Sequence, residues 1–228
     1  LYQASAMYYR FAAADAVSAE HKGSAIAWVL NGGILAAFIG PLIGSHSLHF
    51  FSVDYVGSYA ATALLAFIAL PLLFFVPLTP RSQGASLPAF SFRSINFHAF
   101  CAMLFCTSGY AMMGMVMIAS PLAMSGCGYH PHDAASVIQW HLLGMFAPSL
   151  ITGKMIARFG AQKIALMGVV ILLTGCALAL LGTNLNVFHF SLLTVGIGWN
   201  LMYMGGSTLL AQIADPGLRS RLQSINEF

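Results

Sequence analysis

The chain of 228 residues is 59% hydrophobic and 7% charged, with a mean hydropathy of +0.82 and a formal net charge of +3. So few ionic groups cannot cover a water-soluble globule, and the composition is that of an all-α polytopic membrane protein. The nine Lys and Arg are spread over short connectors and form no basic patch, which excludes nucleic-acid binding.

Residues 1–9 read as the tail of a helix, and 10–23 as a polar connector. The chain starts at Leu1 and stops after Phe228 with no terminal feature, so it is expected to be a fragment of a longer protein. A bilayer core of about 30 Å takes about 20 helical residues. Six stretches qualify as complete transmembrane helices: 24–44, 56–78, 97–124, 134–156, 164–181 and 187–213. The 79–96 connector, rich in Pro, Ser and Gly, is the one plausible linker, dividing the chain into 1–78 and 97–228. Cys101, Cys106 and Cys176 fall in apolar runs and Cys127 in a short loop, without metal or disulfide spacing, so they read as packing residues.

The connectors alternate in kind. Those at 10–23, 79–96, the end of the fourth span to Lys163, and 214–228 hold all nine cations; those at 45–55, 125–133 and 182–186 hold none. A split that clean arises by chance roughly once in 250, so the basic connectors are assigned to the cytoplasm and both ends of the chain with them.

Asp and Glu occur only in connectors or at span edges, so an intramembrane carboxylate, the default proton carrier, is missing. His141, a third of the way along the fourth span, is either a proton site or a neutral histidine bonded to a neighbouring helix. His130 and His132 in an outer loop lack the further ligands a zinc site needs, and neither metal nor cofactor is expected. Polar side chains recur at helical intervals: Asn200, Tyr203 and Ser207 on the last span, Thr107 and Tyr110 on the third, Asn31 beside Trp28 on the first. Either they bond helix to helix, or they line a polar cavity; three such faces favour the cavity.

Three stretches carry a family resemblance. Residues 153–163 are similar to a loop signature of the form G-x-x-x-D-R-x-G-R-K, with Gly153, Arg158 and Gly160 in place, Lys163 one residue beyond the basic pair, and Ala157 where the acid stands. Gly40, Pro41 and Gly44 match an antiporter-type helix motif, with Ala27, Ala36 and Ser45 at its other glycine positions. Gly196 to Asn200, then Gly205 to Leu210, resemble a tenth helix and the loop after it. Together they resemble the major facilitator superfamily of secondary transporters, from the end of the fourth helix to the loop after the tenth. The resemblance implies a partial twelve-helix bundle whose third and last spans line a central cavity. It also implies a monomeric secondary transporter of a small organic solute in a bacterial-type inner membrane, ion-coupled with the proton first, working by alternating access and leaning toward antiport. The rival readings are an uncoupled facilitator or channel, and a membrane metalloenzyme built on His130, His132 and His141. No signature of an enzyme active site is present.

Overall fold

A computed structural model describes residues 2–47, 50–53, 56–71, 97–213 and 216–226. The regular elements among them are helical. In chain order they are α1 (Tyr2–Asp15), a 3-10 turn (Ala19–His21), α2 (Lys22–Ser47), α3 (Val56–Ala69), α4 (Phe97–Gly126), α5 (Pro131–Phe146), α6 (Ser149–Phe159), α7 (Ala161–Ala179), α8 (Leu185–Ala211) and α9 (Pro216–Asn226).

Among the described residues five segments are long and apolar enough to cross a membrane: Ala19–Gly40, Phe97–Gly126, His132–Phe159, Ala161–Ala179 and Leu185–Ala211. Val56–Ala69 is a shorter apolar helix at the place of the second expected span, whose residues 72–78 lie outside the described ones, as does the 79–96 connector. The all-α polytopic architecture is borne out, with a helix at the place of each expected span.

Three boundaries differ from the sequence reading. Helix α1 runs on through Arg10 and the Ala12-Ala13-Ala14 run, the best helix formers available, so Arg10 sits inside a helix and not in a polar connector. The last connector contains α9. The fourth span is two helices, α5 and α6, because Pro148 has no N–H to offer the preceding turn and stands at the N-cap of α6. At the other end of α6 the chain reverses into α7 on a single residue, Gly160, at φ 88°, a left-handed conformation that disfavours any other residue.

By compactness the chain divides into Leu35–Pro88 and a larger unit, Leu1–Ile34 with Ala89–Phe228. In the smaller unit, a Cβ on Gly57 would lie 1.9 Å from the Ser47 carbonyl oxygen, and the Ser47 and Ser58 hydroxyls are 3.4 Å apart, so the end of α2 rests on the start of α3.

The larger unit is organised around α8. Between helices in lipid there is no hydrophobic gain from pairing, so close approach of backbones has to supply the attraction. Glycines provide it on three sides. A Cβ on Gly198 would sit 2.4 Å from the Leu172 nitrogen of α7, and one on Gly168 of α7 would sit 2.3 Å from the Met202 nitrogen. Gly196 faces the His141 carbonyl of α5 at 2.5 Å, and Gly206 faces Cys106 of α4 at 2.8 Å, measured in the same way. Around this seam Trp199, Tyr203, Met204 and Leu210 are wholly buried. The cytoplasm-assigned end is closed by a second cluster joining Ala14 of α1, Ile26, Ala27 and Leu30 of α2, Ile156 of α6 and Met204 and Ala211 of α8.

Candidate functional site

The residues of the α8 polar face fall into two surroundings. Tyr203 belongs to an aromatic cluster: its ring stacks on Trp199 at 4.6 Å and 16°, and Tyr110 of α4 closes on both, at 5.6 Å from Tyr203 and 6.1 Å from Trp199. Phe146, the last residue of α5, meets Trp199 edge-on at 6.4 Å and 77°. The Arg10 guanidinium lies 4.2 Å above the Tyr203 ring and 4.3 Å from that of Phe11. Four rings from three helices thus pack together, with Trp199 and Tyr203 wholly buried and a buried cation on one face.

Trp199 was not among the expected site residues. Its indole Nε1 is buried and has no hydrogen-bond partner among the described residues. A buried donor without an acceptor costs about 1 to 3 kcal/mol, so the group asks for a ligand or a water. The signal was available in the sequence as a Trp flanked by Gly196, Gly198 and Asn200, where an interfacial aromatic would lie nearer a span end.

Asn200 lies one residue on but faces α5 and α6. Its Nδ2 donates to the Met145 carbonyl at 2.6 Å and to the Ser149 hydroxyl at 2.7 Å, and its Oδ1 accepts from Thr152 at 2.9 Å. Thr152 is also 2.8 Å from the Pro148 carbonyl. The three partners of Asn200, Met145, Ser149 and Thr152, flank the break in the fourth span and are buried with it. Ser149 and Thr152 were not anticipated; a Ser and a Thr three apart just after a Pro are the trace they leave in the sequence.

The other expected cavity residues are dispersed. Ser207 is fully buried, its hydroxyl 3.8 Å from the Cys106 sulfur. Thr107 is exposed, whereas Tyr110, on the same helix, enters the ring cluster. Asn31 is half-buried with its Oδ1 unpartnered among the described residues. Two residues further along α2, Gly33 abuts the Phe146 ring, where a Cβ would lie 2.3 Å away.

His141 is wholly buried where α5 meets α8, its Nδ1 2.7 Å from the Leu192 carbonyl and its Nε2 without a partner among the described residues. A carbonyl can only accept, so Nδ1 carries the proton and the neutral ring presents a bare lone pair at Nε2. His130 and Asp133 have a local duty instead: the His130 amide donates to Asp133 Oδ2 at 3.1 Å, capping α5. Among the described residues no group of three or more His, Cys, Asp or Glu is placed to hold a metal.

The 153–163 stretch is the end of α6, the Gly160 turn and the start of α7. Gly153 packs on α2, where a Cβ would be 3.2 Å from Ala27 and Ser24. Arg158 and Lys163 are exposed, Arg158 standing 5.2 Å over the Phe159 ring. A cleft of about 360 Å³ opens beside the turn, lined by Glu20, Gly23, Gly153, Gly160 and Thr208 among others. At its edge the Lys22 ammonium donates to the Ala211 carbonyl at 2.7 Å. Helix α2 passes through Gly40, Pro41 and Gly44; Gly40 is exposed with open space beside it, and the side-chain surroundings of Pro41 and Gly44 lie outside the described ones.

The family model of the Major Facilitator Superfamily matches residues 9–228. The riboflavin transporter RfnT of Brucella anthropi is 37% identical over 96% of this chain and 57% of its own length. The MFS-type transporter YddS of Bacillus subtilis is 24% identical over 96% of the chain and 55% of its own length. The chain therefore spans about half the length of these relatives. No solved structure matches.

Proposed function

The chain belongs to the Major Facilitator Superfamily, and from that premise we propose that the whole protein is a secondary transporter moving a small, flat heteroaromatic solute by alternating access. The observation that carries the solute class is the ring cluster of Tyr110, Phe146, Trp199 and Tyr203, with a buried indole N–H that finds no acceptor among the described residues and the Arg10 cation above. An isoalloxazine-sized ring offers the faces that stack on aromatics and the carbonyls that an indole N–H seeks. The name of the RfnT relative supports the same class.

The arrangement of helices favours a state closed on the cytoplasm-assigned side. By the expected division at 79–96, α1 and α2 belong to one half of the transporter and α6 and α8 to the other, so the Lys22 to Ala211 bond and the Gly153 contact both cross between halves. Opening that seam exposes the ring cluster to the cytoplasm. The Gly153, Arg158, Gly160 and Lys163 loop gates it from the α6 side. Coupling is to protons, with His141 as the carrier, and the Gly40, Pro41, Gly44 segment favours exchange over symport. The protein sits as a monomer in a bacterial-type inner membrane with both ends of this chain cytoplasmic.

The test is riboflavin transport by the whole protein in proteoliposomes, with and without an imposed proton gradient. Gradient-dependent accumulation is expected. Movement that ignores the gradient makes the protein an uncoupled facilitator, and no movement of riboflavin or related flat heterocycles removes the proposed solute class.

A further inference from the structure

The fourth span is broken at Ala147 and Pro148, yet both of its arms are tied to one side chain. Asn200 donates to Met145, the carbonyl just before the break, and to Ser149 just after it, while accepting from Thr152 one turn further on. The amide orientation is not arbitrary. Met145 offers only an acceptor, so the nitrogen must face it and the oxygen must face the Thr152 hydroxyl. Both Nδ2 protons are committed across the break, so Asn200 cannot donate to a solute without releasing it.

We propose that Asn200 is a positioning residue, a clasp that fixes the angle between α5 and α6 and hands occupancy of the ring cluster on to the cytoplasmic seam. The route is short. Phe146 is the last residue of α5 and lies edge-on to Trp199, so a solute entering among the rings displaces a side chain next to the clasped carbonyl. On the far arm, α6 carries Gly153 against α2 and ends in the Gly160 turn. A Pro break is a hinge only if something decides its angle, because the proline removes the bond that would otherwise keep the helix straight. Here the deciding group sits on a third helix, the same α8 that bears Trp199. The three bonds give two discrete states, clasped and released, and a packed bundle moves between such states and does not deform continuously.

This inference rests on the transport reading for its consequence and not for its geometry, and the experiment separates the two. Spin labels at His132→Cys and Phe159→Cys, the exposed ends of the span, report the angle across the break in the whole protein, in a background free of other reactive cysteines. Asn200→Leu, similar in volume and without hydrogen-bonding groups, is expected to widen the distance distribution about twofold or to split it in two. Ser149→Ala with Thr152→Val is expected to reproduce most of that change, and adding Asn200→Leu to the pair to change little more, because the three groups form one network. In riboflavin transport Asn200→Leu is expected to lower turnover about tenfold with KM within about twofold. An unchanged distance distribution in Asn200→Leu overturns the clasp, as does a raised KM at unchanged turnover, the mark of a solute contact. Should Asn200→Leu fail to fold, Ser149→Ala and Thr152→Val each remove one hydroxyl and must each broaden the distribution. A wild type that moves no riboflavin defeats the solute class alone, since the distances are read without any solute.

Discussion

Lys22, in the first turn of α2, donates to the carbonyl of Ala211 at the C-terminal end of α8, 2.7 Å away. A cation at a helix N-terminus opposes that helix's dipole, while the same cation at a C-terminus is favoured by about 0.3 to 1 kcal/mol, so Lys22 serves α8 at some expense to α2. A buried charge-assisted bond between two helices is worth about 1.5 to 3 kcal/mol. Lys22→Met keeps the aliphatic stem and loses the bond. It is expected to shift the seam toward its open state by roughly tenfold or more. The measure is the alkylation rate of a cysteine at Thr208, which is 1% exposed beneath Gly23. An unchanged rate means that the bond does not hold the seam.

The α7 and α8 seam predicts a sharp difference between glycines. Gly198→Ala places a methyl 2.4 Å from the backbone nitrogen of Leu172, which cannot move without shifting α7. Such overpacking costs about 1 to 3 kcal/mol. Gly114→Ala in α4 meets nothing within 4 Å and gains helix propensity. Thermal unfolding in one detergent is expected to show a clear fall in midpoint for the first and none for the second. Equal midpoints would show that the seam is looser than drawn.

How far the sequence announces this arrangement depends on the solvent. In water an apolar stripe marks the buried face of a helix, but in lipid both faces are apolar, so hydropathy located the spans and could not say that α8 is the hub. The small residues could: Gly198 and Gly205, seven apart on α8, mesh with Gly168 and Gly175, seven apart on α7. The polar faces were legible as intervals along one helix and not as partnerships between helices. Asn200, Tyr203 and Ser207 share a stripe by spacing, yet Asn200 turns to the α5 and α6 break while Tyr203 stacks on Trp199. Pro148 was visible, but the apolar run on both sides of it reads as one span until Asn200, from elsewhere in the chain, shows what the break is held by. The loop similarity with Gly153, Arg158 and Gly160 led to the right family, and the match over residues 9–228 bears it out.

Trp199 tests the solute class because two of its properties can be removed separately. Trp199→Phe keeps a ring against Tyr203 and deletes the indole N–H; Trp199→Leu deletes both. If the N–H meets a solute carbonyl, Trp199→Phe is expected to weaken riboflavin binding by about three- to tenfold, the worth of one hydrogen bond, and Trp199→Leu by a further factor from lost stacking. Quenching of flavin fluorescence on titration with the whole protein gives the affinities. Equal affinity in Trp199→Phe assigns the N–H to packing alone.

His141 is the proposed proton carrier, and substituting it tests the coupling. Its Nδ1–H is held by Leu192, so in the proposed cycle the exchanging proton would sit at Nε2, where no described residue stands as acceptor. Protonation there buries an unpaired charge, which is costly in the membrane interior, so the protonated ring favours any arrangement that lets water or a solute carbonyl reach it. Such a preference would be the coupling free energy between proton and conformation that the proposal requires. His141→Gln keeps a side-chain amide able to donate to Leu192 and cannot titrate. It is expected to retain exchange of labelled for unlabelled riboflavin, which needs only alternating access, and to lose accumulation driven by an imposed proton gradient. The two measurements on one proteoliposome preparation separate a broken fold, which abolishes both, from a lost proton site, which abolishes only the second. Accumulation that persists in His141→Gln places the coupling proton elsewhere.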